Sequence, residues 1–134
     1  MSIRAMNHFT VLSAGLEQTR AFYCDLLGLE VGPRPSSMRF PGLWLYAEGH
    51  AVLHVIAKAL PEMRNGVIDH MAFSANDLQG IVRKLQAQQI KFSLRRAANA
   101  ASGTGDWQLF CRDPSGALVE LDFAASEPAP AGFE

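Results

Sequence analysis

The chain is short of positive charge: 12 lysines and arginines stand against 13 aspartates and glutamates, a formal net charge of −1 over 134 residues. With no basic excess and no basic run there is nothing to neutralise a phosphate backbone, which excludes nucleic acid as an expected partner. Long hydrophobic runs are missing too. No apolar stretch approaches the ~20 residues that span a bilayer, so no membrane partner is expected. The first thirteen residues lack the charged, apolar and small-residue sections of a secretory leader, and the expected location is cytoplasmic. Cysteine is scarce: Cys24 and Cys111 are too few for a disulfide framework. They lie far apart inside apolar segments, the setting of reduced, buried thiols, and no activating pattern makes either a nucleophile.

What the chain does have is apolar residue content, 49 % of the total, enough for one compact domain in which about two thirds of the unfolded surface is buried. Helical spacing is clear at Leu78, Ile81, Val82 and Leu85, which predicts a helix over 77–89 with Asn76 and Gln79 as its capping pair. A second helix is predicted over 16–27, with Leu16, Phe22, Tyr23, Leu26 and Leu27 on its apolar face and Gly28 as its stop. Each helix follows a short strand-like segment, 7–13 and 69–74. Each precedes three more extended segments, 29–31, 44–47 and 51–56 in the first half and 91–94, 107–112 and 117–123 in the second.

The halves therefore read as a repeat. A shift of 62 lays His8 over His70 and Leu16 over Leu78, and a shift of 66 lays the segment ending in His54-Val55 over Glu120-Leu121. The difference of four residues falls in loops and turns, where insertion costs least. Asp113-Pro114-Ser115-Gly116 has the residues of a type I turn joining two antiparallel strands. Simple hairpin counting through that turn sets Leu109 beside Glu120, and a bulge would set another residue there. The stretches 32–42 and 95–106 read as mobile loops, and 127–134, with its two prolines, as a frayed tail. The domain is 1–126, with modules at about 1–60 and 66–126.

The repeat gives meaning to four polar residues. His8 and His70 sit at matching positions on the first strand of each half, and His54 and Glu120 at matching positions on the last. A lone histidine in a strand is more often a hydrogen-bonded core or edge residue than a ligand. Glu120, between Val119 and Leu121, is harder to treat that way, because a half-buried carboxylate needs a partner or a metal. Side chains alternate along a strand, so Phe9, Val11, Met71 and Phe73 can cover the helices while the four polar residues share the opposite face. His50, near the turn at Glu48-Gly49, belongs to no such set and is expected to be exposed. Imidazole and carboxylate together suit Fe, Mn, Co, Ni or Zn as divalent ions. Four protein ligands on an octahedral ion leave two positions, which favours Lewis-acid isomerase or lyase chemistry. With His54 outside the set, His8, His70 and Glu120 make a two-histidine, one-carboxylate triad of the kind that binds substrate and O₂ at Fe(II).

The segments Asn7-His8-Phe9-Thr10-Val11, Thr19-Arg20-Ala21-Phe22-Tyr23 leading to Leu26-Leu27-Gly28-Leu29, Asp69-His70-Met71-Ala72-Phe73, and Arg112-Asp113-Pro114-Ser115-Gly116 through Glu120-Leu121 closely resemble the vicinal oxygen chelate superfamily. That superfamily includes glyoxalase I, extradiol dioxygenases, methylmalonyl-CoA epimerase, fosfomycin-resistance thiol transferases and bleomycin-resistance proteins. The resemblance implies an α+β fold of two βαβββ modules forming a curved mixed sheet, a cup with the helices outside, commonly in a homodimer. It implies a divalent metal held by His8, His54, His70 and Glu120, with Glu120 also the catalytic base, acting on a small oxygenated organic substrate. Glyoxalase-like and epimerase-like members place Glu or Gln where this chain has His54, a departure from their pattern. The functions to be weighed are thus a lyase or isomerase, an extradiol-type dioxygenase, a metal-free drug-binding protein of the bleomycin-resistance kind, and a thiol transferase.

Overall fold

The computed structural model describes residues 2–62, 66–97 and 105–134. The chain divides into two compact units, Met1–Arg64 and Asn65–Glu134, and each is an open, four-stranded mixed sheet with one helical segment. In the first unit the strands are β1 (Phe9–Ser13), β2 (Glu30–Gly32), β3 (Gly42–Ala47) and β4 (His50–Ala57), in the order β1-β4-β3-β2. In the second they are β5 (Met71–Ser74), β6 (Phe92–Arg96), β7 (Trp107–Arg112) and β8 (Leu118–Phe123), in the order β5-β8-β7-β6. The first strand of each unit pairs parallel with the last, and the remaining pairings are antiparallel. This is the predicted βαβββ repeat, since a parallel pair needs a crossover and the helix supplies it.

The alternation expected along the strands holds. Val11, Leu45, Leu53 and Val55 are buried on one face of the first sheet, and Met71, Leu109, Cys111, Val119, Leu121 and Phe123 on one face of the second. The second helix, α2 (Leu78–Ala87), adds Leu78, Ile81, Val82 and Leu85 to that core. Its cap corrects the sequence reading. Asp77, not Asn76, is the cap: it takes φ +65° and its carboxylate accepts from the Gly80 N–H at 3.0 Å. A second carboxylate, that of Glu127, accepts from the Asp77 and Leu78 N–H groups at 3.0 and 2.9 Å. These are donors at the helix N-terminus that the helix itself cannot satisfy, and negative charge is favoured there.

Glu127 lies in the stretch read as a frayed tail, and the structure ties that stretch down. The Trp107 indole donates to the Glu127 carbonyl, Gln79 donates to the Ala129 carbonyl, and Phe133 packs near Phe92. The second correction concerns the first helix. Only Leu16–Arg20 (α1) is α-helical, and Ala21–Leu26 continues as a π-helix. The wider turn lets consecutive Phe22 and Tyr23 both enter the core, at 5 % and 0 % exposure. Gly28, at φ +88°, marks the predicted stop. The family-like Thr19-Arg20 pair serves this scaffold: the buried Thr19 hydroxyl meets Ser13 Oγ at 2.7 Å, and Arg20 bonds both Glu17 and Asp25 on the surface.

Two turns matter for the sites. Glu48 and Gly49, both at positive φ, join β3 to β4, and His50 begins β4 exposed to solvent as expected. At the other turn Gly116 donates to the Asp113 carbonyl and Asp113 to the Ala117 carbonyl, both at 2.9 Å, with Gly116 at φ +93°. This is a type I turn followed by a one-residue bulge. The Asp113 carboxylate pins it by accepting from Ser115 and Ala117. Of the loops read as mobile, 98–104 within 95–106 lies outside the described residues.

Candidate functional site

The bulge at Gly116 shifts the β7–β8 register by one residue, so that Phe110, not Leu109, faces Glu120, and Ala72 completes the row from β5. The corresponding row of the first unit is Thr10, His54 and Trp44. Trp44 and Phe110 therefore occupy matching positions, 66 apart like His54 and Glu120. Sequence reasoning missed both aromatic residues as members of the site. The offset of 66 already relates them, and only the bulge hides Phe110 from simple counting.

His8 and His70 stand one residue before β1 and β5, not on the strands where the sequence reading put them. In each case the preceding residue holds the ring: Asn7 Oδ1 lies 2.8 Å from His8 Nδ1, and Asp69 Oδ2 lies 2.7 Å from His70 Nδ1. An amide oxygen and a carboxylate oxygen only accept, so Nδ1 donates in both rings, and in His70 Nε2 is engaged in turn by Glu120.

The two units then use the matching positions differently. In the second, His70 Nε2 lies 3.0 Å from Glu120 Oε2, and the Phe110 ring meets the His70 ring edge-on at 5.7 Å. Glu120 is 7 % exposed. The bond to Asp69, helped by Glu120, raises the His70 pKa against an opposing effect of burial. Asp122, two residues beyond Glu120, was not foreseen as a site residue. Burial, reinforced by the Glu120 carboxylate with which it shares a hydrogen bond, raises its pKa, and its Oδ1 is buried with no hydrogen-bond partner among the described residues. The period-two spacing from Glu120 is the sequence signal for it.

In the first unit the contacts are aromatic. The His54 ring is stacked on Trp44 at 4.0 Å and 11°, and on His8 at 3.7 Å and 14°. Burial, and then the neighbouring His8, lower the His54 pKa. The thiols take no part: burial raises both, that of Cys111 to about 11.

Each predicted pair is thus brought together within its own unit. Among the described residues, no three His, Cys, Asp or Glu side chains are gathered as a single ion would require. The donors of the second unit suit a divalent ion. An imidazole nitrogen and a carboxylate oxygen meet there, and the far side of the imidazole is bound to a second carboxylate, the arrangement that orients histidine ligands in metal sites.

The family model of the Glyoxalase/Bleomycin resistance protein/Dioxygenase superfamily matches residues 5–121. The chain belongs to this superfamily. Within the superfamily the chain is similar to Glyoxylase I 4 of Arabidopsis thaliana, 28 % identical over 127 residues that cover 90 % of this chain and 71 % of that protein. It is similar also to the mitochondrial methylmalonyl-CoA epimerase of Bos taurus, 28 % identical over 129 residues covering 89 % and 74 %. Among solved structures, the lactoylglutathione lyase of Agrobacterium tumefaciens shares the superfamily fold with a TM-score of 0.63 at 21 % identity, covering 93 % of this chain and 97 % of the other. No helix among the described residues is long and apolar enough to cross a membrane.

Proposed function

We propose that this superfamily member is a divalent-metal-dependent enzyme acting on a small oxygenated organic substrate by isomerase or lyase chemistry. The observation that carries the reading is the meeting of His70 Nε2 and Glu120 Oε2 at 3.0 Å, with the His70 ring fixed from behind by Asp69. The candidate donors of the second unit are His70 and Glu120. Support for isomerase or lyase chemistry over dioxygenation comes from the names of the relatives, a glyoxylase I and an epimerase.

A divalent ion held there would act as a Lewis acid on the substrate's oxygens, acidifying the neighbouring C–H bond. The chain's own part is to hold and move the proton. Glu120, bonded to His70 and sharing a hydrogen bond with Asp122, is the carboxylate that takes this proton and returns it to the adjacent carbon. Phe110, beside His70 and across the ladder from Glu120, provides an apolar wall that limits water at the carboxylate.

The test is to load the purified protein with Ni(II), Zn(II), Mn(II), Co(II) or Fe(II) and assay thiol adducts of 2-oxoaldehydes, with a catechol panel under O₂ as the comparison. Metal-dependent rearrangement of the adducts, lost in Glu120→Gln, is the expected result. Ring cleavage of catechols by the Fe(II) form would replace the isomerase reading with the dioxygenase one. Ligand capture indifferent to chelator, without turnover, would replace both with the drug-binding one.

A further inference from the structure

We propose that Arg95 selects the substrate: it holds a carboxylate at the end remote from Glu120, so that the molecule acted on is a small oxygenated carboxylic acid lying across Phe110. The inference rests on the metal-dependent reading above and names its substrate class.

Strand pairing in the second unit sets Glu120, Phe110 and Ser93 in one row across β8, β7 and β6, and Asp122, Gln108 and Arg95 in a parallel row on the same face. That face is therefore acidic on β8 and cationic on β6, with the Phe110 ring between. Arg95 is held there from two sides. Its Nε donates to Gln108 Oε1 at 3.0 Å, and its guanidinium carbon stands 5.2 Å from the centre of the Phe110 ring, within cation–π reach. Phe110 in turn meets His70 edge-on at 5.7 Å, so two ring-sized contacts separate the guanidinium from the pair formed by His70 and Glu120. Gln108 takes Nε and leaves both Nη groups, and among the described residues no carboxylate pairs with Arg95. Two parallel N–H donors in one plane fit the two oxygens of a carboxylate. The next residue shows the contrast. Arg96 turns to the opposite face, lies over Trp107 at 3.9 Å and spends Nη1 on the Gly105 and Ala125 carbonyls. Charge then decides between anions: a carboxylate carries one negative charge and a phosphoryl group nearly two, so repulsion from a carboxylate at Glu120 nearly doubles for the latter. The molecule that fits has oxygens at the Glu120 end, a short apolar spacer over Phe110 and a carboxylate at Arg95.

Levulinate, a ketone joined to a carboxylate by a short methylene chain, is the probe, and its methyl ester is the neutral control. Binding to the full-length, metal-free protein is read from the arginine Nε–H signals in ¹H–¹⁵N spectra, the Arg95 signal being the one missing from Arg95→Met. Levulinate should move that signal and bind roughly tenfold or more tightly than the ester. Arg95→Met should erase this preference without weakening the ester. Arg95→Lys should restore only part of it, because an ammonium lacks the planar fork. Arg95 is exposed on β6, so both replacements leave the core intact. An Arg95 signal that levulinate leaves in place, equal binding of acid and ester, or wild-type affinity for levulinate in Arg95→Met would overturn the assignment. Tighter binding of inorganic phosphate than of levulinate would overturn the choice of carboxylate. Because no metal takes part, these outcomes judge Arg95 by itself. Levulinate recognition in a protein that takes up no divalent ion would overturn the metal-dependent reading and leave the anion site standing.

Discussion

In the first unit a histidine pair is held face to face beneath a tryptophan, whereas in the second a histidine and a glutamate meet through a hydrogen bond, backed by one aspartate and flanked by another. The strand order, the parallel pairing of first and last strands and the place of the helix are the same in both. The shared topology thus delivers two polar side chains to one spot in each unit, and the residue types alone decide whether that spot is aromatic or charged. It follows that the first unit answers chiefly to the shape of its rings, and the second to charge and pH.

Several changes would break or sharpen this contrast. The largest effect belongs to the shared scaffold: Leu85→Ala in α2 and Leu26→Ala in the π-helical segment, both at 2 % exposure or less, should each cost about 2–5 kcal/mol in urea unfolding. A marked inequality would show that the two units do not rely equally on their helical segments. Glu127→Ala should cost about 1 kcal/mol, because it removes the carboxylate at the N-terminus of α2. The first helix has no side-chain cap to remove.

The smallest effects are those of pH, and they have opposite signs. His70 is raised above the ordinary 6.5, with Asp69 as the main cause. Its contribution to stability is therefore complete below that value and is lost as pH rises through the raised one. His54 is lowered from 6.5, mainly by burial. Its contribution is present above 6.5 and is lost as pH falls through the lowered value. NMR titration of the histidine ring protons should therefore place His70 above 6.5 and His54 below it in the metal-free protein. Asp69→Asn should bring His70 downward without moving His54, and Trp44→Ala should do the reverse, raising His54 and leaving His70 in place.

Much of this was legible in the sequence, because the physics involved is local. The period of 3.6 at Leu78, Ile81, Val82 and Leu85 and the alternation around His54 and Glu120 specify helix and strand faces, and the offsets of 62 and 66 relate the modules. Asp113-Pro114-Ser115-Gly116 announced its turn for the same reason. What was hidden depends on packing or on single-residue register. The π-helical Ala21–Leu26 follows from the burial of both Phe22 and Tyr23. The bulge at Gly116 exchanged Leu109 for Phe110 beside Glu120. The tail at Glu127 reaches α2 across 49 residues of sequence. The stacking of His54 on Trp44 depends on the β3–β4 register, which no spacing in the sequence marks.

Central to the proposed function is that His70 and Glu120 of the second unit hold a divalent ion. The most direct measurement is the metal content and calorimetric affinity of the reconstituted protein beside His70→Ala and Glu120→Gln. One ion per chain in the wild type, with each variant weakened by at least the roughly tenfold to hundredfold that loss of an outer-shell partner already costs, is the predicted result. Equal metal content in all three proteins, or none in the wild type, would contradict it.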